Sequence, residues 1–179
     1  VNATTLTMGE TITTAGVVDL NCNTTLSGNI TWTNSNYIKT ATGKSISCTG
    51  NFTQGTGSGT NNKSFMLGGS FTASGSATFT SDVFYYGNTT SSFGSTGTGS
   101  FTLAGNFLVG LNGSGAINVI SNVSAKNYVC LAGTVNLSAG KFLSSTTGDV
   151  VIVGANAVFE DSTVTNSISE YDYTGSRGS

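Results

Sequence analysis

Leu26-Ser27-Gly28-Asn29-Ile30 and Cys48-Thr49-Gly50-Asn51-Phe52 share one pattern: an apolar residue or Cys, any residue, Gly, a small polar residue, then an apolar residue. The pattern returns as Leu67-Gly68-Gly69-Ser70-Phe71, Leu103-Ala104-Gly105-Asn106-Phe107 and Leu131-Ala132-Gly133-Thr134-Val135. A weaker copy at Gly87 divides the longest interval, Gly69 to Gly105, into equal halves, and two more weak copies sit at Gly9 and Gly154. Glycine beside Asn, Ser or Thr supplies tight corners between short extended segments. Over all the copies the mean period is about 21 residues, and a fixed period of that size marks stacked repeats.

Between the glycines the periodicity is two. Phe101 and Leu103, Phe107 and Val109, Ile117 and Val119, and Val135 and Leu137 each alternate with a neighbour that faces the other way, which lays one side of a strand on a core. Thr, Val, Ile, Phe and Tyr favour strands, and good helix formers are scarce. The chain contains no Pro, so no residue withholds its amide from a ladder. These features predict an all-β chain: a β-solenoid, parallel β-helix-like, of about eight rungs of 18–22 residues, occupying residues 1–165 as a single repeat domain. A β-sandwich is the alternative that this length allows. Residues 166–179 have little core-forming character and read as an extended or disordered tail.

Composition fits stacking. Gly, Ser, Thr and Asn make up more than half of the chain, and only six Lys or Arg and eight Asp or Glu are present, a net charge of −2. Stacked rungs hold equivalent side chains about 4.8 Å apart. Like charges repel at that spacing, whereas Asn, Ser and Thr can hydrogen-bond along the stack.

The missing residues exclude several chemistries. Without His there is no Ser-His-Asp triad, Cys-His dyad or imidazole ligand. Cys22, Cys48 and Cys130 are far apart in the chain with no C-x-x-C pair, so no zinc site is expected. Gly68-Gly69 is not followed by the Asp of a calcium-binding turn, and no metal or other cofactor is expected. Glu160-Asp161 is the one adjacent acidic pair; neighbours on a strand point to opposite faces, so the pair does not make a catalytic dyad. The chain is read as not an enzyme. Its basic residues are scattered, which argues against nucleic acid as a partner, and no apolar run approaches the roughly 20 residues of a membrane span.

Three groups of residues remain as candidate sites. The chain begins at Val1 rather than Met, which reads as a secreted protein after signal-peptide removal, hence an extracellular or cell-surface location. In that setting Cys22, Cys48 and Cys130 are disulfide candidates, with Cys22–Cys48 the nearer pair and Cys130 left for a bond between chains. Sequons for N-glycosylation begin at Asn2, Asn23, Asn29, Asn51, Asn62, Asn88, Asn112, Asn122 and Asn136. Trp32 and Tyr85 are candidate exposed aromatics for contact with a glycan or a partner chain.

The repeats at Leu26–Ile30, Cys48–Phe52 and Leu103–Phe107 resemble those of secreted β-helical adhesins of the filamentous-haemagglutinin and autotransporter-passenger type. The composition is similar to that of archaeal cell-sheath and surface-layer proteins, including methanogen sheaths. The resemblance implies a structural or adhesive role at the cell surface. A solenoid has unpaired strand edges at both ends, and this one offers neither Pro nor much charge to block them. The expected function is self-assembly, the chain being its own partner, into a filament, sheath or surface layer with a mechanical or protective role. The alternative is a cell-surface adhesin or glycan-binding module.

Overall fold

The computed structural model describes residues 5–34, 37–56, 65–110, 115–146, 150–152, 157–161 and 167–169. Among them are twenty strands and no helix. All strand pairings run parallel except that of Ala157–Asp161 with Ser167–Ser169. A parallel partner cannot be reached by a tight hairpin. Here it is reached by going once around the column through two further strands. The fold is a parallel β-solenoid, and the antiparallel sheets of a sandwich do not occur among the described residues.

Three strands make a turn, so the column has three faces. Val18–Leu20, Ile38–Thr40, Phe65–Leu67, Val83–Tyr85, Phe107–Gly110, the first half of Tyr128–Leu137 and Val150–Ile152 stack as the first face. The first halves of Thr5–Thr14 and Asn23–Asn34 begin the second face. It continues through Ile46–Cys48, Phe71–Ala73, Ser91–Ser95, Ala116–Val119, the second half of Tyr128–Leu137 and Ala157–Asp161. The second halves of Thr5–Thr14 and Asn23–Asn34 lead the third face, followed by Phe52–Thr56, Ala77–Phe79, Phe101–Leu103, Val123–Ala125 and Leu143–Ser145.

The column counts about five turns between Thr24 and Leu137, a small difference from the eight rungs expected. Thr24, Ile46, Phe71, Phe93, Val119 and Leu137 are successive register partners on the second face. Each step from one to the next is one circuit of the column, which gives about five turns over this path. The glycine motif marks a corner and each turn has three corners, so successive copies of the motif need not stack on one another. Gly28 and Gly50 stack at the corner between the second and third faces. Gly69 and Gly133 lie between the first and second, and Gly105 between the third and first. Gly154 lies outside the described residues.

Inside, the alternation expected from the sequence holds. Short strands such as Ile46–Cys48, Phe65–Leu67, Phe71–Ala73 and Phe101–Leu103 bury their first and third residues and turn the middle one out. The buried side chains form one continuous core dominated by aromatics. Phe52, Phe65, Phe71, Phe79, Phe93, Phe101 and Phe107 make edge-on or tilted contacts along the axis at centroid distances of 4.9–6.4 Å, with Trp32 at one end and Tyr128 at the other. Such pairs add about 0.5–1.5 kcal/mol each beyond simple burial.

Candidate functional site

The corners carry the polar chemistry. At the corner between the second and third faces, Asn29 Oδ1 accepts from the Asn51 amide (2.9 Å), Asn51 Oδ1 from the Ser76 amide (2.8 Å) and Ser76 Oγ from the Ser100 amide (3.3 Å). Between the first and second faces, Asn23 Oδ1 accepts from the Ser45 amide, Ser45 Oγ from the Ser70 amide and Ser70 Oγ from the Ser92 amide. At the third corner Asp82 Oδ1 accepts from the Asn106 amide (2.6 Å), and Asn106 Oδ1 accepts from Asn127 Nδ2 (2.9 Å). Each rung therefore tethers the corner amides of the next, where the chain leaves the regular ladder and those amides have no strand partner.

Close stacking at these corners demands glycine. A Cβ at Gly50 would lie 2.5 Å from the Gly28 carbonyl oxygen, and Gly28 itself has φ +83°. Ser95 Oγ accepts from the amides of Gly97 and Gly99, so the Gly-rich turn after Ser91–Ser95 is hydrogen-bonded.

The aromatic candidates are corrected. Trp32 and Tyr85 are both 0% exposed. Trp32 Nε1 donates to Thr14 Oγ1 (3.0 Å), and the Tyr85 hydroxyl donates to the Ser92 carbonyl (3.3 Å). The parity of Val83–Tyr85 is set by Val83, which stacks between Phe65 and Phe107. Val83 and Tyr85 therefore point in, while Phe84 and Tyr86 are partly exposed. The signal was present in the flanking rungs rather than in the aromatic run itself.

The disulfide expectation is also corrected. Cys22, Cys48 and Cys130 are free and buried. Cys48 pairs in register with Leu26, four positions beyond Cys22. At about 3.3 Å per residue that offset is roughly 13 Å, well beyond the approximately 7 Å that a bridge spans between Cα atoms. The Cys48 thiol instead donates to the Gly28 carbonyl, and the Cys130 thiol to the Gly133 carbonyl. Burial raises the pKa of both thiols and pushes that of Cys130 up to about 11. With Cys130 only 2% exposed, a bond to another chain has no accessible sulfur.

Five of the nine sequon asparagines have structural work of their own. Asn23, Asn29 and Asn51 serve the corner ladders, and Asn122 Oδ1 accepts from the Phe142 amide (3.0 Å). Asn136 Nδ2 donates to Asn118 Oδ1 (3.0 Å), while Asn136 Oδ1 is buried and has no partner among the described residues. Asn88 is exposed, and Asn2, Asn62 and Asn112 lie outside the described residues. Glu160 and Asp161 are consecutive strand residues whose side chains are outside the description.

Among the described residues the surface has shallow clefts. One of about 320 Å³ is lined by Thr102, Asn122, Ser124, Phe142 and Ser144, and one of about 360 Å³ by Asp19, Asn21, Lys39, Thr42 and Tyr86. Lys39 Nζ lies 5.5 Å over the Tyr86 ring, whose hydroxyl donates to the Thr40 carbonyl. Among the described residues no three His, Cys, Asp or Glu come together to hold a metal, and no helix is long and apolar enough to cross a membrane.

The ends of the column differ. Among the described residues, Thr5–Thr14 pairs along one edge only, with Asn23–Asn34. The strand contains a single charge, Glu10. At the opposite end Ser167–Ser169 lies antiparallel on Ala157–Asp161 and covers the second face. Among the described residues, Leu143–Ser145 and Val150–Ile152 pair only toward the preceding rung.

The geometry thus defines a sparsely charged, Asn/Ser-laddered parallel β-solenoid, the architecture that the repeats resemble. No protein-family model, curated protein or solved structure matches the chain.

Proposed function

We propose that this solenoid is a structural extracellular protein that self-assembles by strand-edge stacking into a filament, sheath or surface layer. The observation that carries the reading is the long edge of Thr5–Thr14, which spans two faces with one charged side chain. Unpaired amides and carbonyls in such an edge are a template for another strand. Soluble proteins commonly blunt them with Lys, Pro or a covering element. At the arriving end Leu143–Ser145 and Val150–Ile152 offer edges on the third and first faces, and on the second face the outer edge of Ser167–Ser169 takes that place. Head-to-tail contacts of this kind need not close and yield open fibres. Burial of Trp32 and Tyr85 removes the exposed aromatics on which the glycan-binding alternative rested.

Negative-stain microscopy and diffraction test the reading. The purified chain should form filaments with a meridional repeat of about 4.8 Å. Thr11 and Thr13 are exposed on the terminal strand, and Thr11→Lys with Thr13→Lys should abolish filaments while circular dichroism still reports a folded β protein. A wild-type chain that stays monodisperse and monomeric at high concentration overturns the proposal.

A further inference from the structure

The three faces are not alike on the outside. On the third face the outward column reads Thr31, Thr53, Thr78, Thr102, Ser124 and Ser144. On the second face it includes Ser47, Thr72, Ser92, Asn118 and Asn136. The first face begins with Asp19 and Lys39 and then becomes apolar: Met66, Phe84, Leu108 and Val129 occupy consecutive register positions. Met66, Phe84, Leu108 and Val129 are partly exposed, and Leu131 beside them is 46% exposed. The Phe84 ring leans on Tyr86 at 6.3 Å, and a Cβ at Gly110 would come within 3.0 Å of it. Core packing does not require this stripe, because the inward residues of the same strands already fill the core.

We infer that the apolar stripe of the first face is a lateral interface that packs against the same stripe of a second copy in a neighbouring filament. Three observations select that occupant. An apolar ladder spaced about 4.8 Å can interdigitate along its whole length only with a surface of equal period, and another copy of the column has that period by construction. Flat sheet faces pack about 10 Å apart in this way. Asp19 and Lys39 carry opposite charges at one end of the stripe, so two columns lying parallel with a stagger of one rung set Asp19 of one against Lys39 of the other.

The area sets when pairing occurs. The stripe covers four rungs, roughly 15 Å at the rung spacing, and is one to two side chains wide. That gives a few hundred Å², short of the roughly 800 Å² per partner of a stable complex. Stacking copies end to end repeats the stripe after each Asp19–Lys39 step, so the lateral contact grows with every subunit added. Single copies pair weakly and filaments pair firmly. The inference rests on the filament reading for its strength, though not for the contact itself.

The test places one new thiol on the stripe, Leu108→Cys, and one on the polar third face, Thr102→Cys, and treats each protein with a short bismaleimide at high concentration. The native cysteines are buried, at 1, 4 and 2% exposure. Leu108→Cys should give at least tenfold more cross-linked dimer than Thr102→Cys, and Phe84→Ser in the same chain should remove the difference. Equal cross-linking from the two positions in samples that do form filaments overturns the lateral interface and leaves the filament reading standing. Preferential cross-linking at Leu108 without filaments overturns the filament reading and leaves the interface standing. Sedimentation of the chain with phosphatidylcholine vesicles, without Leu108 cross-links, would assign the stripe to a lipid surface instead and overturn the inference.

Discussion

Phe93→Ala is the substitution that most directly interrogates the column. The ring is 0% exposed and lies 4.9 Å from Phe101, 5.0 Å from Phe107, 5.8 Å from Tyr85, 5.9 Å from Phe79 and 6.3 Å from Phe71. Burial of about 150 Å² of ring surface at about 25 cal/mol per Å² corresponds to ~4 kcal/mol, within the approximately 3–5 kcal/mol range for Phe→Ala in cores. Relaxation should recover little of this. The rungs above and below are held apart at the ladder spacing by their own backbone hydrogen bonds, so the hole cannot close along the axis. The expected loss is therefore about 4 kcal/mol, a large share of the approximately 5–15 kcal/mol that stabilises an ordinary domain. Phe84→Ala is the matched control, since Phe84 points outward and its ring contact is with Tyr86; its cost should be about 1 kcal/mol or less. Urea titration followed by the fluorescence of Trp32, the sole tryptophan, and by circular dichroism measures both. If Phe93→Ala costs under about 1 kcal/mol, or Phe84→Ala costs more than Phe93→Ala, the assignment of inside and outside is wrong.

Two further outcomes follow from the corners and the buried thiols. Gly50→Ala should destabilise the chain by about 1–3 kcal/mol, because the new methyl would meet the Gly28 carbonyl at 2.5 Å and force a backbone shift; an unchanged urea midpoint would contradict the stacking of those corners. Stability should also fall in alkali. Burial holds the Cys130 thiol protonated up to about pH 11 against an ordinary value of 9.0, with Cys48 shifted the same way. The unfolded chain then carries fewer protons than the folded one above pH 9, so this contribution is intact below pH 9 and is lost as pH rises through about 11. Melting temperatures between pH 8 and 11 should show the decline, and Cys130→Ala should flatten part of it.

The fold class was legible because stacking leaves two marks in a sequence. One is strand-period alternation, seen in Phe101–Leu103 and Phe107–Val109; the other is a Gly-Asn or Gly-Ser corner. What those marks do not state is which corner each one forms. Gly50 and Gly69 look like successive repeats but belong to different edges of the column within one turn. Only pairing across turns, Gly50 against Gly28 and Ile46 against Phe71, separates them. The same limit inverted Tyr85. Four consecutive apolar or aromatic residues, Val83 to Tyr86, have no internal phase, and it is Phe65 and Phe107 in the adjacent rungs that supply it. The Cys22–Cys48 pairing failed for a related reason: sequence separation says nothing of the offset along a strand, which register alone decides.

The steps between register partners are unequal, longest from Phe93 to Val119 and shortest from Val119 to Leu137, and they show where the fold tolerates variation. The strands keep their inward and outward positions, and the surplus falls at the corners. Backbone ladders need only amides and carbonyls, which every residue but Pro supplies. Side-chain identity is demanded in two places: the inward positions, where aromatics meet across rungs, and the corners, where Asn, Ser or Asp must reach the next turn's amide and Gly must let it approach. The outward positions are under neither demand. Thr and Ser on the third face are what an indifferent neutral surface would carry. Met66, Phe84, Leu108 and Val129 in the same outward phase of the first face are not. An apolar choice repeated over consecutive rungs, at positions where folding asks for nothing, is the clearest sign in this chain of a surface that meets another.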